Sequence, residues 1–310
     1  MRLLIAVLVS TSVSMLSAAP QVANKSPVGD PAVATRKAIT LVENGRCKEA
    51  LPLLKQSIPR LNDKQLKYSG GMAEARCAMA LDEQAAAAEA LFTLRREFPG
   101  DPEVLYISTH YFSQLAMRSS QELAAKAPNS YQARRLEAEA LESQGKWDQV
   151  IGIYKGILKD NPQTAGIHYR LGQALLSKAG DSGPVDEAKA EFQKELQMDP
   201  HNAAAEFVLG ELARRAGQWT EAAQHFSNAT KLDVGFSEAY LALGMSLASA
   251  GKYAEAIPPL RTYVQMQPAD AAGHYQLAIA YSRVGDKDGA ARELALQKQA
   301  SAHSQAAPQP

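Results

Sequence analysis

The sequence predicts an all-α solenoid of stacked helix–turn–helix units, on three observations. Gly217, Gly251 and Gly285 stand 34 residues apart, and so do Ala222, Ala256 and Ala290. The stretches around them read alike: LGELARRAGQWTEAAQHFSNATKLD, LGMSLASAGKYAEAIPPLRTYVQMQP and LAIAYSRVGDKDGAARELALQKQ. Prolines keep the same step, with Pro128 and Pro162 again 34 apart. A period of this length means that each helical hairpin buries its apolar face on the next, and arrays built so bind and organise partners. Lys+Arg and Asp+Glu both number 33, so no net field draws nucleic acid or anionic lipid.

Taken in order, the chain opens with an export signal, expected over residues 1–19. Arg2 supplies the positive end, Leu3 to Leu16 is apolar apart from Ser and Thr, and Ser17-Ala18-Ala19 offers small residues for cleavage. The alternative is an uncleaved anchor, but a spanning helix needs about 20 apolar residues. The run also lacks a following Cys for acylation. Residues 20–30 read as a flexible leader. The mature chain is thus expected in an exported compartment, periplasmic or secreted, with no stable membrane span after cleavage.

Irregular repeats are expected over 31–129. The first unit, from Pro31 to about Lys64, carries GRCKEALPLL, a turn and a second helix. The second, Tyr68–Asp101, places helices near residues 72–81 and 85–96 and stops at Pro99. The third is degenerate: helices are expected over Pro102–Leu115 and roughly Arg118–Lys126, without a turn glycine. A regular array follows over 131–304, in units beginning at Tyr131, Ala165, Ala203, Ser237 and Ala271, which makes about eight units in all. Gly145 and Gly217 are 72 apart, two periods plus four, and the extra residues fall in Asp181-Ser182-Gly183-Pro184. Such an insertion lengthens a surface loop and leaves the stacked faces in register. A helix from Lys287 to about Gln299 caps the array with Arg292, Glu293 and Lys298, and residues 305–310 form a disordered polar tail.

The recurring residues have physical jobs. Gly145, Gly217, Gly251 and Gly285 stop the first helix of a unit in a left-handed conformation. Pro99, Pro128, Pro162, Pro200 and Pro268 close second helices. Gly172, Gly210, Gly244 and Ala278 share one first-helix position, and Ala188, Ala222, Ala256 and Ala290 share one second-helix position. Small side chains there let paired helices approach. Phe192, Phe226, Leu260 and Leu294 supply apolar contacts at the crossing.

These residues resemble the tetratricopeptide repeat family, through Leu-Gly at 209–210 and 243–244, the turn glycines, Ala222, Ala256, Phe226, Ala229 and Pro268. The resemblance is strong from Tyr131 onward and partial from Pro31 to Asn129. It departs from the pattern in the third unit and at Val234, where proline is usual. It implies a right-handed superhelix whose concave groove, lined by first helices, holds a peptide or protein, and it implies no chemistry and no cofactor.

Transferred by position, that groove falls on Tyr106, Arg135, Tyr169, Phe207 and Tyr275. One turn on, it falls on His110, Glu139, Gln173 and Glu211, and further along on Arg214 and Arg283. Aromatic rings give contact area at small entropic cost, and arginine gives forked hydrogen bonds. Equally, the rings pack against the next first helix. Rings along a groove also stack on sugars, so an envelope glycan binder stands as an alternative, beside an accessory subunit of an enzyme.

No nucleophile elbow, phosphate loop or H-E-x-x-H motif is present, so no catalysis is expected. The six histidines show no paired spacing with carboxylates or thiols, so no metal site is expected. Cys47 starts a second helix and Cys77 lies late in the next first helix. In an oxidising compartment they form a disulfide closing a loop of about 30 residues, or else remain two buried thiols. The expectation is a non-catalytic scaffold that binds a protein or peptide, in envelope assembly or secretion. Partner, oligomeric state and host are not written in the sequence.

Overall fold

The computed structural model describes residues 29–179 and 185–306; the expected signal, most of the leader, the insertion at 181–184 and the last residues of the tail lie outside them. Among the described residues the fold is an all-α repeat solenoid of fifteen α-helices and no strand. They are α1 (Pro31–Glu43), α2 (Cys47–Ser57), α3 (Lys64–Ala80), α4 (Gln84–Glu97), α5 (Pro102–Lys126), α6 (Tyr131–Glu142), α7 (Trp147–Asp160) and α8 (Ile167–Ala179). Beyond these come α9 (Val185–Met198), α10 (Ala203–Arg215), α11 (Trp219–Leu232), α12 (Ser237–Ser249), α13 (Tyr253–Met266), α14 (Ala271–Val284) and α15 (Lys287–Ala306). The chain divides into two compact units, residues 1–118 and 119–310, with the boundary inside α5.

Each hairpin is built by the same local chemistry. Five first helices begin on a side-chain cap: Asp30 accepts from the Ala32 amide, Asp63 from Leu66, Ser130 from Ala133, Asn202 from Ala205 and Asp270 from Gly273, whereas α12 begins after Phe236 without one. They end on a left-handed residue, which is Gly45, Gly145, Gly217, Gly251 or Gly285. In the second hairpin that residue is Asp82, at φ 56°, with the same closing bond from the following amide, Glu83, to Ala78. Asp tolerates this conformation better than most side chains. Second helices stop two residues before a proline: α4, α5, α7, α9 and α13 end at Glu97, Lys126, Asp160, Met198 and Met266, ahead of Pro99, Pro128, Pro162, Pro200 and Pro268.

Two expectations about helix limits change. The third unit is one unbroken helix, α5, rather than two. Only Ala116 and Met117 separate the expected halves, and both favour helix. The final helix runs on to Ala306 instead of ending near Gln299.

Packing explains the small-residue positions. A Cβ added at Gly172, Gly210 or Gly244 would lie 2.8 Å from the Phe192 ring, 2.7 Å from the Phe226 ring and 2.4 Å from Leu260 Cγ. The same pair of positions holds Ala38 with Leu54, Ala75 with Leu91 and Ala138 with Tyr154, all fully buried. Leu294, the corresponding residue of α15, is 40% exposed, because no described helix follows to cover it. In the unit of residues 1–118, Cys47 and Cys77 form a disulfide that ties α2 to α3, with Cα atoms 5.1 Å apart. Among the described residues no helix is long and apolar enough to cross a membrane.

Candidate functional site

The stripe expected to bind a partner lies on first helices, and its members fare differently. In the unit of residues 119–310, Arg135 donates to Glu139 one turn along α6, at 2.9 Å. Arg170 on α8 reaches the same carboxylate at 3.7 Å and Glu142 at 3.5 Å. The Tyr154 hydroxyl on α7 donates to Glu142 at 2.8 Å, and its pKa is pushed up by burial first and by that bond second. Two arginines, two glutamates and Tyr154 thus join three helices in a polar network. Arg170 and Glu142 were not singled out from sequence. Their signal was the presence of charges on successive first helices at neighbouring stripe positions.

Tyr169 is half-buried, its ring edge-on to Phe192 at 5.5 Å and its hydroxyl accepting from Gln173 at 3.0 Å. Burial raises its pKa. Phe207 turns into the helices, 5.4 Å from Phe226 and 4.8 Å from Phe236, so it supports the stripe more than it offers a face. Glu211 and Arg214 form a two-pronged pair along α10, at 3.0 and 2.7 Å. Tyr275 is 50% exposed. Arg283 sits over the Tyr253 ring, 5.6 Å from its centroid. Described by itself, the unit of residues 1–118 carries Tyr106 and His110 on α5, both exposed, with rings 4.3 Å apart. The stripe can therefore offer half-exposed aromatic edges and fixed, internally neutralised ion pairs. Among the described residues no three His, Cys, Asp or Glu side chains gather as a metal site would require.

Three histidines meet a carboxylate in space, across a hairpin, without any paired spacing in the sequence to mark them. His168 Nδ1 meets Glu191 at 2.5 Å, His225 Nδ1 meets Glu206 at 2.6 Å and His274 Nδ1 meets Glu293 at 2.7 Å. Each pair ties the first helix of a hairpin to its second. All three use the same two repeat positions, with the partners exchanged in the α10–α11 hairpin. Burial pushes the Glu191 carboxyl up, but hydrogen bonds from Lys194 and His168 outweigh it and leave the pKa below the ordinary value. The pairs are separated by 19 or 23 residues, so linear motifs miss them. Aligning the units on their glycines would have revealed the exchange.

Comparison with known proteins places this geometry. The family model described as tetratricopeptide repeat matches residues 177–235, 213–271 and 241–303. Among solved structures, a MamA protein aligns at TM-score 0.51 and 21% identity, over 58% of this chain and 98% of that one. The MamA RS-1 ArsTM double mutant aligns at TM-score 0.52 and 17% identity, over 58% and 98%. YrrB, described as a TPR protein with an unusual peptide-binding site, aligns at TM-score 0.50 and 20% identity, over 60% of this chain and 97% of that one. At these identities the likeness is one of fold. No curated protein matches the chain.

Proposed function

We propose, from the tetratricopeptide repeat model that matches residues 177–303, that this chain is a non-catalytic scaffold of that family and binds a protein segment along the first-helix stripe of residues 119–310. The carrying observation is the fixed polar network of Arg135, Glu139, Glu142 and Arg170 beside the half-buried Tyr169, with Tyr275 exposed further along. Side chains already held by neighbours lose little freedom on binding, so the partner bears most of the ordering cost. Relatedness in fold to YrrB, a peptide binder by its description, supports the same reading.

The compartment is proposed to be exported, with a role in envelope assembly or secretion. The apolar N-terminal run and the Cys47–Cys77 disulfide support it, since disulfides persist where the surroundings are oxidising. The test is capture of envelope proteins on the purified chain, compared with a variant carrying Arg135→Ala, Tyr169→Ala and Tyr275→Ala. A partner held by the wild type and lost by a variant of unchanged helicity supports the stripe. Equal capture by both removes the stripe from the binding surface. Phe207 is left intact because its ring is part of the packing.

A further inference from the structure

The two positions that carry the His–Glu pairs hold small residues in the second hairpin. The two positions there are Gly71 on α3 and Ala90 on α4. Leu94 packs over Gly71, where an added Cβ would lie 2.8 Å from its Cδ2, and beside it a cleft of about 490 Å3 lies between the second helices α2 and α4 and α3. It lies wholly within residues 1–118 and uses none of the residues of the first-helix stripe, so it goes beyond the function proposed above. Ile58, Leu94 and Phe98 supply apolar wall. Two carboxylates, Glu74 on α3 and Glu89 on α4, also line it. Neither has a hydrogen bond or ion pair among the described residues. Their charges repel: burial pushes Glu74 up to about 7 and Glu89 adds to the rise, with Lys55 opposing.

None of the cations lining the cleft forms an ion pair with either carboxylate, although Lys55 acts on Glu74 from a distance and opposes its rise. Lys55 is spent on Glu83 at 3.1 Å and Lys67 on Glu97 at 3.7 Å, while Arg96 stands exposed at the rim. An occupant that fits has an apolar stem to lie along the wall and a positive end to meet the carboxylates. We propose that this cleft receives a lysine side chain from a segment of a partner protein, with its ammonium between Glu74 and Glu89. Binding would draw the proton from Glu74, because an adjacent cation favours the ionised form. The affinity should therefore rise as pH goes from 6 to 8, a range in which lysine itself stays charged.

The test follows backbone amides of Gly71 and Thr93 in the full mature chain by NMR, during titration with the capped tripeptide Ala-Lys-Ala. Its norleucine twin and free cadaverine serve as comparators. The lysine peptide should bind about tenfold tighter than the norleucine peptide at pH 8. That preference should shrink at pH 6, vanish in Glu74→Gln and weaken in Glu89→Gln. Glu89 is exposed, so the second variant keeps the test alive if the first fails to fold. Equal binding of lysine and norleucine peptides would reduce the cleft to a greasy slot and overturn the proposal. A lysine preference that survives Glu74→Gln, or one equal at both pH values, would place the ammonium elsewhere. Binding of cadaverine without the peptide would assign the cleft to a free diamine instead of a protein.

Discussion

Replacing His225 by Glu sets a carboxylate against Glu206, where the native contact is 2.6 Å and the two side chains are only 22% and 12% exposed. The change removes a hydrogen bond to a charged group, worth about 1.5–3 kcal/mol. It adds like-charge repulsion, which the side chains relieve only by parting. Asn228, which donates to Glu206 at 3.1 Å, can keep its bond. A loss of about 2–4 kcal/mol is expected for His225→Glu. Glu206→His loses the same bond with less repulsion, and should cost about 1–3 kcal/mol. The double exchange recreates the arrangement that α8–α9 and α14–α15 already use, with His on the first helix and Glu on the second. It should return to within about 1 kcal/mol of wild type, the remainder being the acceptor that Asn228 loses. Because a repeat array need not unfold in one step, urea denaturation at pH 7.5 should be read with hydrogen exchange of α10 and α11 amides. Losses that simply add, with a coupling below about 0.5 kcal/mol, would mean that the pairs are incidental contacts and not a repeated helix clamp.

Three further outcomes follow from the same geometry. Gly244→Ala forces a Cβ to within 2.4 Å of Leu260 and should cost roughly 1–3 kcal/mol by overpacking; an unchanged melting midpoint would contradict the crossing described. Replacing Cys47 and Cys77 by Ser should weaken residues 1–118 by about 3–4 kcal/mol in the chain-entropy picture, and thiol titration of the unreduced, denatured wild type should find no free thiol. Glu74 sits at about 7 in the fold against an ordinary 4.5, so between those values the folded chain holds more proton than the unfolded one, and stability falls as pH rises. Glu74→Gln should match wild type near pH 4.5 and be the more stable at pH 8, seen as a difference in melting temperature that grows through this window; a constant difference would refute the burial of that carboxyl.

The repeat frame was legible because each of its parts answers one local requirement. A left-handed helix stop wants Gly, a helix end tolerates Pro two residues on, and a close crossing wants Gly or Ala against Phe or Leu. Those requirements recur every unit, so they print a period. What the sequence hid lay where a requirement was met by an unusual residue or by two residues together. Asp82 takes the left-handed place with no glycine to mark it. The missing break in α5 is set by the helical preference of Ala116 and Met117, which outlasts the expected boundary. The His–Glu clamps are pairwise, and a pair that swaps its members leaves neither position constant, so it disappears from any single-position pattern.

Phe207 teaches the complementary point about the stripe. Position along a first helix says which face a residue occupies, but not whether its ring is spent on the next helix, as Phe207 is on Phe226 and Phe236 while Tyr275 stays half-exposed. In an array whose units must resemble one another to stack, shared residues are mostly explained by stacking. Binding information then has to reside in what differs between units. By that reasoning the cleft lined by Glu74 and Glu89, in a hairpin whose clamp positions hold Gly71 and Ala90, is a better place to look for specificity than any residue the period repeats.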